Sequence, residues 1–166
     1  KTLNKDNPKL NCRLRGLKKF SPKRIILDNK LDSKLNSYII KTANNKNTLI
    51  FYNMADKSKV LEFKRRGVKL IKSKINKKNK FDIKVLLKKL FLLGCRNLLI
   101  EGGDILTNSL IKNKIFNKFY LFKSSKNLSK SSEYLKFNSL NVLNKKYKKK
   151  INLDLNLKND RIILYR

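Results

Sequence analysis

Histidine and tryptophan are absent from this sequence, and proline (two), cysteine (two) and glycine (five) are scarce. Without histidine, the commonest metal ligand and the usual acid–base side chain at neutral pH are both missing. Cys12 and Cys95 lie far apart and match no metal-ligand spacing. They read as two reduced thiols in a cytoplasmic protein, and no metal site is expected. Long apolar runs are lacking too. The longest candidate, VLLKKLFLLG, is broken by Lys88 and Lys89 and falls short of the ~20 residues of a membrane span. No signal-peptide pattern is legible. The first residue is Lys rather than Met, so upstream residues are expected.

Acidic residues are the last scarcity: 11 against 43 Lys and Arg, a net charge of +32. Such a charge invites a nucleic-acid reading. Two features argue against it. Only eight of the basic residues are Arg, the side chain suited to bidentate phosphate and guanine contacts, and the lysines are spread along the whole chain. The joint excess of Lys, Asn and Ile is what an AT-rich coding sequence writes onto solvated faces. No specific nucleic-acid partner and no membrane partner are expected. A positive field would still attract phosphorylated small molecules.

What is present is enough for a core: 40% of the 166 residues are hydrophobic, a length that suits one domain. Arg24 to Leu27 (RIIL), Thr48 to Tyr52 (TLIFY) and Val68 to Ile71 are short apolar runs of the kind that form buried strands. Lys57 to Arg66 is a helix candidate stopped by Gly67. Ile83, Leu86, Leu87, Leu90 and Phe91 fall on one helical face, with Asp82 placed to cap the start and Gly94 the end. Asn97 to Ile100 reads as a buried strand running into Glu101-Gly102-Gly103, and Asp104 to Ile111 as a short helix. Phe119 to Phe122 is a strand candidate. Ile151, Leu153, Leu155 and Leu157 alternate with polar residues before Lys158-Asn159-Asp160 turns the chain into Arg161 to Tyr165, a hairpin pattern. The opening residues, with Pro8, read as a loop, and Lys123 to Lys150 carries no periodicity. Strands interleaved with helices indicate an α/β sheet covered on both faces.

Two stretches carry chemistry. In LLIEGGDILTNSLI, an apolar run ends in Glu101, two glycines follow, and a helix begins. Glycines at such a turn let the backbone approach a ligand and tolerate unusual angles, and the helix start offers unpaired N–H groups for a phosphate. Thr107 and Ser109 add hydroxyls in its first turns. The alternative is a plain tight turn with a solvated Glu. In TLNKDNPKLNCR, Thr2 to Arg13, Asp6-Asn7-Pro8 is open to reading as an Asx turn and Arg13 as a surface cation.

Together these stretches resemble the reductase domain of the bifunctional riboflavin-biosynthesis deaminase/reductase family, which carries T-x-x-x-D-[DN]-P-x-L-x-x-R, then a strand with an L-D pair, then I-E-G-G before a helix. Thr2, Asp6, Asn7, Pro8, Leu10 and Arg13 match in register, as do Leu27-Asp28 and Ile100-Glu101-Gly102-Gly103. The resemblance covers nearly the whole chain in order. It implies an α/β, dihydrofolate-reductase-like three-layer sandwich with a mixed, mostly parallel sheet, and residues 1–166 as a single partial reductase domain. It implies NADPH as cofactor, a homodimer, and reduction of the ribosyl group of 5-amino-6-(5-phosphoribosylamino)uracil, a phosphorylated pyrimidine. Thr2, Asp6 and Asn29 would line the cofactor site, Asn29 replacing a more usual Ser. Gly103, Asp104, Ile105, Leu106, Thr107, Asn108 and Ser109 would hold the cofactor's phosphate-bearing part. Leu10, Arg13 and Glu101 would face the substrate, with Glu101 the first candidate for acid–base work and Asp6 the second.

The chain departs from the family in two places. Residues 1–166 are expected to hold none of the family's zinc deaminase domain, and the reductase domain's opening strand–helix–strand would lie upstream of Lys1. Those opening strands would flank Asn97 to Ile100, so that stretch is expected to lack its partners. The rivals are a lysine-driven nucleic-acid binder and a noncatalytic relative of the fold.

Overall fold

The structure, a computed structural model, describes residues 2–125, 139–155 and 157–166, and divides into two compact units, Lys1–Asn97 and Leu98–Arg166. In the first unit, β1 (Arg24–Leu27), β2 (Thr48–Tyr52) and β3 (Lys69–Lys72) form a parallel sheet in that order. The central strand takes the most apolar run, TLIFY, and is buried along nearly its whole length. Between the strands lie α2 (Tyr38–Lys41) and α3 (Lys57–Arg65); α4 (Ile83–Leu92) follows β3.

Alternation along the strands divides the apolar side chains between two faces. Ile26 and Ile50 pack with Leu31, Ile39, Ile40, Phe63 and Val68. Leu49 and Phe51 pack with Leu86 and Leu90. Thus α2 and α3 share one face, as same-handed crossovers advancing in one direction require. The other face belongs to α4.

The expected stops and caps are in place. The Asp82 carboxylate accepts from the Lys84 and Val85 N–H groups, at 2.9 and 3.2 Å. Gly67 ends α3 at φ +78, and a Cβ there would meet the Ala43 carbonyl and Asn44 Cα at 3.0 Å, so the position needs glycine twice over. The third strand begins one residue later than expected, because pairing with β2, Leu49 opposite Lys69 onward, sets its limits.

Arg24, only 6% exposed, fixes the start of the sheet without a carboxylate. Its guanidinium donates to Thr42 Oγ1 (2.7 Å), the Thr42 carbonyl (2.9 Å), Asn47 Oδ1 (3.1 Å) and Thr48 Oγ1 (2.7 Å). Burial lowers its pKa from the usual arginine value.

The second unit holds α5 (Asp104–Lys112), β4 (Phe119–Lys123), α6 (Leu140–Lys146), β5 (Lys150–Leu153) and β6 (Arg161–Tyr165). Its sheet is antiparallel in the order β4-β6-β5, and β5 and β6 form the expected C-terminal pair. Ile111, Leu143 and Tyr165 centre its core, ringed by Phe116, Phe119, Leu121 and Tyr147.

The expectation of a loop at the start is corrected. Thr2–Asp6 forms a short helix, α1, ended by Asn7 at φ 42 and Pro8. The periodicity also misses α2, too short to show a pattern, and α6, whose Asn- and Lys-rich sequence has modest helix propensity but which buries Leu143 completely. Residues 126–138, within the stretch without periodicity, lie outside the described residues, as do Lys1 and Asn156.

The reading of Asn97 to Ile100 as a buried strand is also corrected. The segment joins neither sheet, and Leu98, Leu99 and Ile100 are 37%, 84% and 40% exposed. An apolar run becomes a strand only where a ladder partner satisfies its backbone. The expectation that this stretch would be without partners is met.

Candidate functional site

In the first unit, the Thr2–Arg13 stretch folds onto the loop that leaves β1. Asn4 Nδ2 donates to the Asp32 carbonyl at 2.8 Å, and Asn4 Oδ1 accepts from the Lys34 N–H at 2.9 Å. Asn7 Oδ1 accepts from the Tyr38 N–H at 2.8 Å, supplying a cap to α2 from a distant segment. Asp6 and Asn29 are therefore carried at the same end of the parallel sheet, beyond the carboxyl ends of its strands, where open α/β sheets bind ligands.

Asp6 is an exposed carboxylate at the C-terminal end of α1, the end a negative charge disfavours. Leu10 sits at φ 46, a strained angle for a leucine, and packs partly buried against the core. The carboxylate next to Asn29, Asp28, is a turn-former: it accepts from the Asp32 N–H and from the N–H and hydroxyl of Ser33. Asn29 uses its carbonyl to accept from the Asn53 and Met54 N–H groups, at 3.0 and 3.1 Å. Its Oδ1 is buried and has no partner among the described residues, an acceptor available to a ligand N–H or O–H.

Arg13 is exposed and lines a cavity of about 390 Å3 with Lys9, Arg15, Lys18, Asn11 and Tyr38 among others. Four cations and no carboxylate line this space. Asn11 Nδ2 donates to the Tyr38 hydroxyl at 3.4 Å, and Asn11 Oδ1 is a second buried acceptor without a partner among the described residues. The Lys9 ammonium lies 5.7 Å from the Tyr38 ring centroid. Lys9, Asn11, Arg15, Lys18 and Tyr38 line this cavity and were not singled out in the sequence. For the cations among them the only signal is the density of basic residues in KLNCRLRGLKK, indistinguishable from the surrounding lysine background, and Tyr38 lies outside that stretch.

The other predicted residues belong to the second unit. Glu101 is exposed and its carboxylate has no partner among the described residues. Gly103 caps α5 without a side chain, and the backbone N–H groups of Gly103, Asp104 and Ile105 have no acceptor among the described residues. The Leu106 and Thr107 N–H groups already donate to the Gly103 carbonyl, so they are spent. Thr107 Oγ1 donates weakly to the Gly102 carbonyl at 3.5 Å, and the Ser109 carbonyl accepts from Asn113.

The expected reason for the glycines is half corrected. Gly103 has φ −69, which any residue adopts, so conformational freedom is not why glycine stands there. At Gly102 a Cβ would meet the Leu106 side chain, with Cδ2 at 3.0 Å, so the turn is tight there. Asp104 Oδ1 is a buried acceptor without a partner among the described residues, and its charge would oppose a phosphate. Asp104 can therefore favour an anion only through its N–H. Within the second unit, the free N–H groups at the start of α5 suit a phosphate.

Comparison with known proteins identifies the family. Residues 1–150 match the family model described as the RibD C-terminal domain. The chain is 32% identical over 121 residues to the riboflavin biosynthesis protein RibD of Actinobacillus pleuropneumoniae, covering 73% of this chain and 31% of that protein. It is 30% identical over 125 residues to the RibD of Aquifex aeolicus (strain VF5), covering 75% and 33%. The chain thus spans about a third of the length of these curated relatives. A solved structure of Acinetobacter baumannii RibD superposes with a TM-score of 0.70 at 18% identity, over 99% of this chain and 44% of that one. A pyrimidine reductase-like protein from Corynebacterium diphtheriae gives a TM-score of 0.70 at 15% identity, covering 99% and 72%. The fold is the α/β, dihydrofolate-reductase-like one expected from the motifs. With its motifs, its fold and most of its length accounted for, the chain belongs to the RibD C-terminal domain family of riboflavin biosynthesis.

Proposed function

We propose that this chain carries the NADPH-dependent reduction of the ribosyl group of 5-amino-6-(5-phosphoribosylamino)uracil to ribityl. The observation that carries the reading is the cavity at Arg13, whose four cations suit a sugar phosphate. NADPH, when bound, supplies the reducing equivalent.

The chain's own residues do the rest. The N–H groups of Gly103, Asp104 and Ile105 would hold the cofactor's phosphates at the start of α5, with Leu106 to Ser109 forming the turns behind them. Asn29 Oδ1 would accept a hydrogen bond from the cofactor, beside Thr2 and Asp6. Arg13 would grip the substrate phosphate bidentately, and Leu10 would bear on the substrate from its strained position. Glu101 would supply the proton needed at the ring oxygen as the ribosylamine opens, with Asp6 as second candidate. A homodimer and a cytoplasmic setting belong to the same proposal.

Steady-state kinetics, followed by nicotinamide absorbance, test it. Arg13→Ala should raise the substrate KM about tenfold or more with kcat nearly kept, because a phosphate is held alike in ground and transition states. Glu101→Gln should lower kcat about a hundredfold with NADPH affinity unchanged. Wild-type kcat in Glu101→Gln would remove that residue from acid–base work. Absence of NADPH binding by the wild-type chain would overturn the proposal.

A further inference from the structure

A second cavity of about 650 Å3 lies in the first unit, at the carboxyl ends of β2 and β3 and against α4. It is lined by Asn53, Lys72, Ser73, Lys74, Asn76 and Lys89, with Ile75, Val85 and Asp82 completing the wall. Arg13, Asn29 and Glu101 do not line it.

Its polar groups are organised. Ser73 is 4% exposed, and its N–H donates to the Tyr52 carbonyl at 2.7 Å. Its carbonyl accepts from Asn53 Nδ2 at 3.0 Å. The Lys89 ammonium reaches across from α4 and donates to Ser73 Oγ (2.9 Å) and to the Lys72 carbonyl (3.3 Å). Two of its three protons are thereby directed, and one remains to donate. Because Ser73 Oγ accepts from Lys89, its own proton is also left to donate. The single acid on the wall, Asp82, is occupied in capping α4. Asp82 keeps its charge while capping, but it is the one carboxylate of the wall, and Lys89 is the cation whose ammonium is directed there by its hydrogen bonds.

The volume exceeds what a bare anion fills and falls in the range of small-molecule sites. The apolar part of the wall, Ile75 and the 48% exposed Val85, is suited to an organic group rather than to water. We infer that this cavity is a binding site for a phosphorylated small molecule, with its phosphate on Lys89 and Ser73 and its organic part against Ile75 and Val85. The inference does not rest on the reductase reading above.

The test uses the full chain at constant ionic strength, titrated with inorganic phosphate, ribose 5-phosphate, AMP and adenosine. Binding is followed by calorimetry and by amide chemical shifts. Phosphate-bearing probes should bind and shift the amides of 72–76 and 82–89, while adenosine should not bind. AMP or ribose 5-phosphate binding more tightly than inorganic phosphate identifies an organic phosphate as the ligand. Equal affinities would overturn the organic part of the proposal. Lys89→Met should weaken binding about tenfold, the loss of one charge-assisted hydrogen bond. Lys64→Met, which removes an equal charge from the exposed surface of α3, should leave binding unchanged. Ser73→Ala supplies a second, smaller reduction if it keeps the wild-type circular dichroism spectrum. Equal loss in Lys64→Met and Lys89→Met would reduce the effect to the overall charge and overturn the site. So would shifts confined to Lys9–Lys18.

Discussion

Thr48–Tyr52 and Asn97–Ile100 are written in the same alphabet, TLIFY and NLLI, yet meet opposite fates. The first is the centre of a parallel sheet, with Phe51 and Ile50 wholly buried and a ladder on each side. The second has no ladder, and its Leu99 is 84% exposed. Intrinsic β preference cannot distinguish the two; what differs is whether the backbone groups find partners. An apolar run is a request for a strand, and neighbours grant it.

The largest way to test that contrast is paired truncation. Phe51→Ala should destabilise the first unit by ~3–5 kcal/mol, because a wholly buried aromatic leaves a cavity between β2 and α4. Leu99→Ala should change stability by less than ~0.5 kcal/mol, as expected of an exposed side chain. Urea unfolding of the two variants measures both; a comparable cost for Leu99→Ala would mean that Asn97–Ile100 is paired in solution.

A smaller effect sharpens the role of polar anchors at the edge of the favoured region. Arg24→Met keeps the apolar stem but removes four donated hydrogen bonds at the start of β1 and β2. A loss of ~2 kcal/mol is expected, since buried acceptors such as Thr48 Oγ1 are left unsatisfied. No loss in thermal unfolding would show that water replaces the guanidinium there.

The smallest expected effect concerns the helices that follow the two apolar runs. A side chain caps α4, whereas α5 starts at Gly103 with none. Asp82→Ala should cost ~1 kcal/mol. Gly103→Ala should cost a few tenths of a kcal/mol, because its backbone angle suits any residue. A large loss at Gly103 without ligand would reassign that glycine from ligand approach to structure.

Much of the first unit was legible because its signals are local. TLIFY is a short apolar run, the α4 face repeats at helical spacing, and Asp82, Gly67 and Gly94 punctuate at fixed offsets. The motif residues proposed for the site are local signals as well: all but Asn29 sit in two short stretches. What escaped was non-local. The companions of Arg13 come from neighbouring loop positions and from Tyr38 on α2, and only the folded chain sets them around one cavity. Nor did Lys89 differ, as a letter, from the other lysines until β3 placed Ser73 beneath it.

The sequence by itself determined the longer helices, the stops between elements, the apolar sides of strands and helices, and the two motifs that point to the family. Those follow from steric and hydrophobic preferences that act within a few residues. Tertiary structure alone decided which apolar runs became strands, that Arg24 would be satisfied by neutral oxygens, and which of many lysines would surround a cavity. Each of those depends on partners distant in sequence, and a backbone ladder or a directed ammonium exists only once both halves are in place.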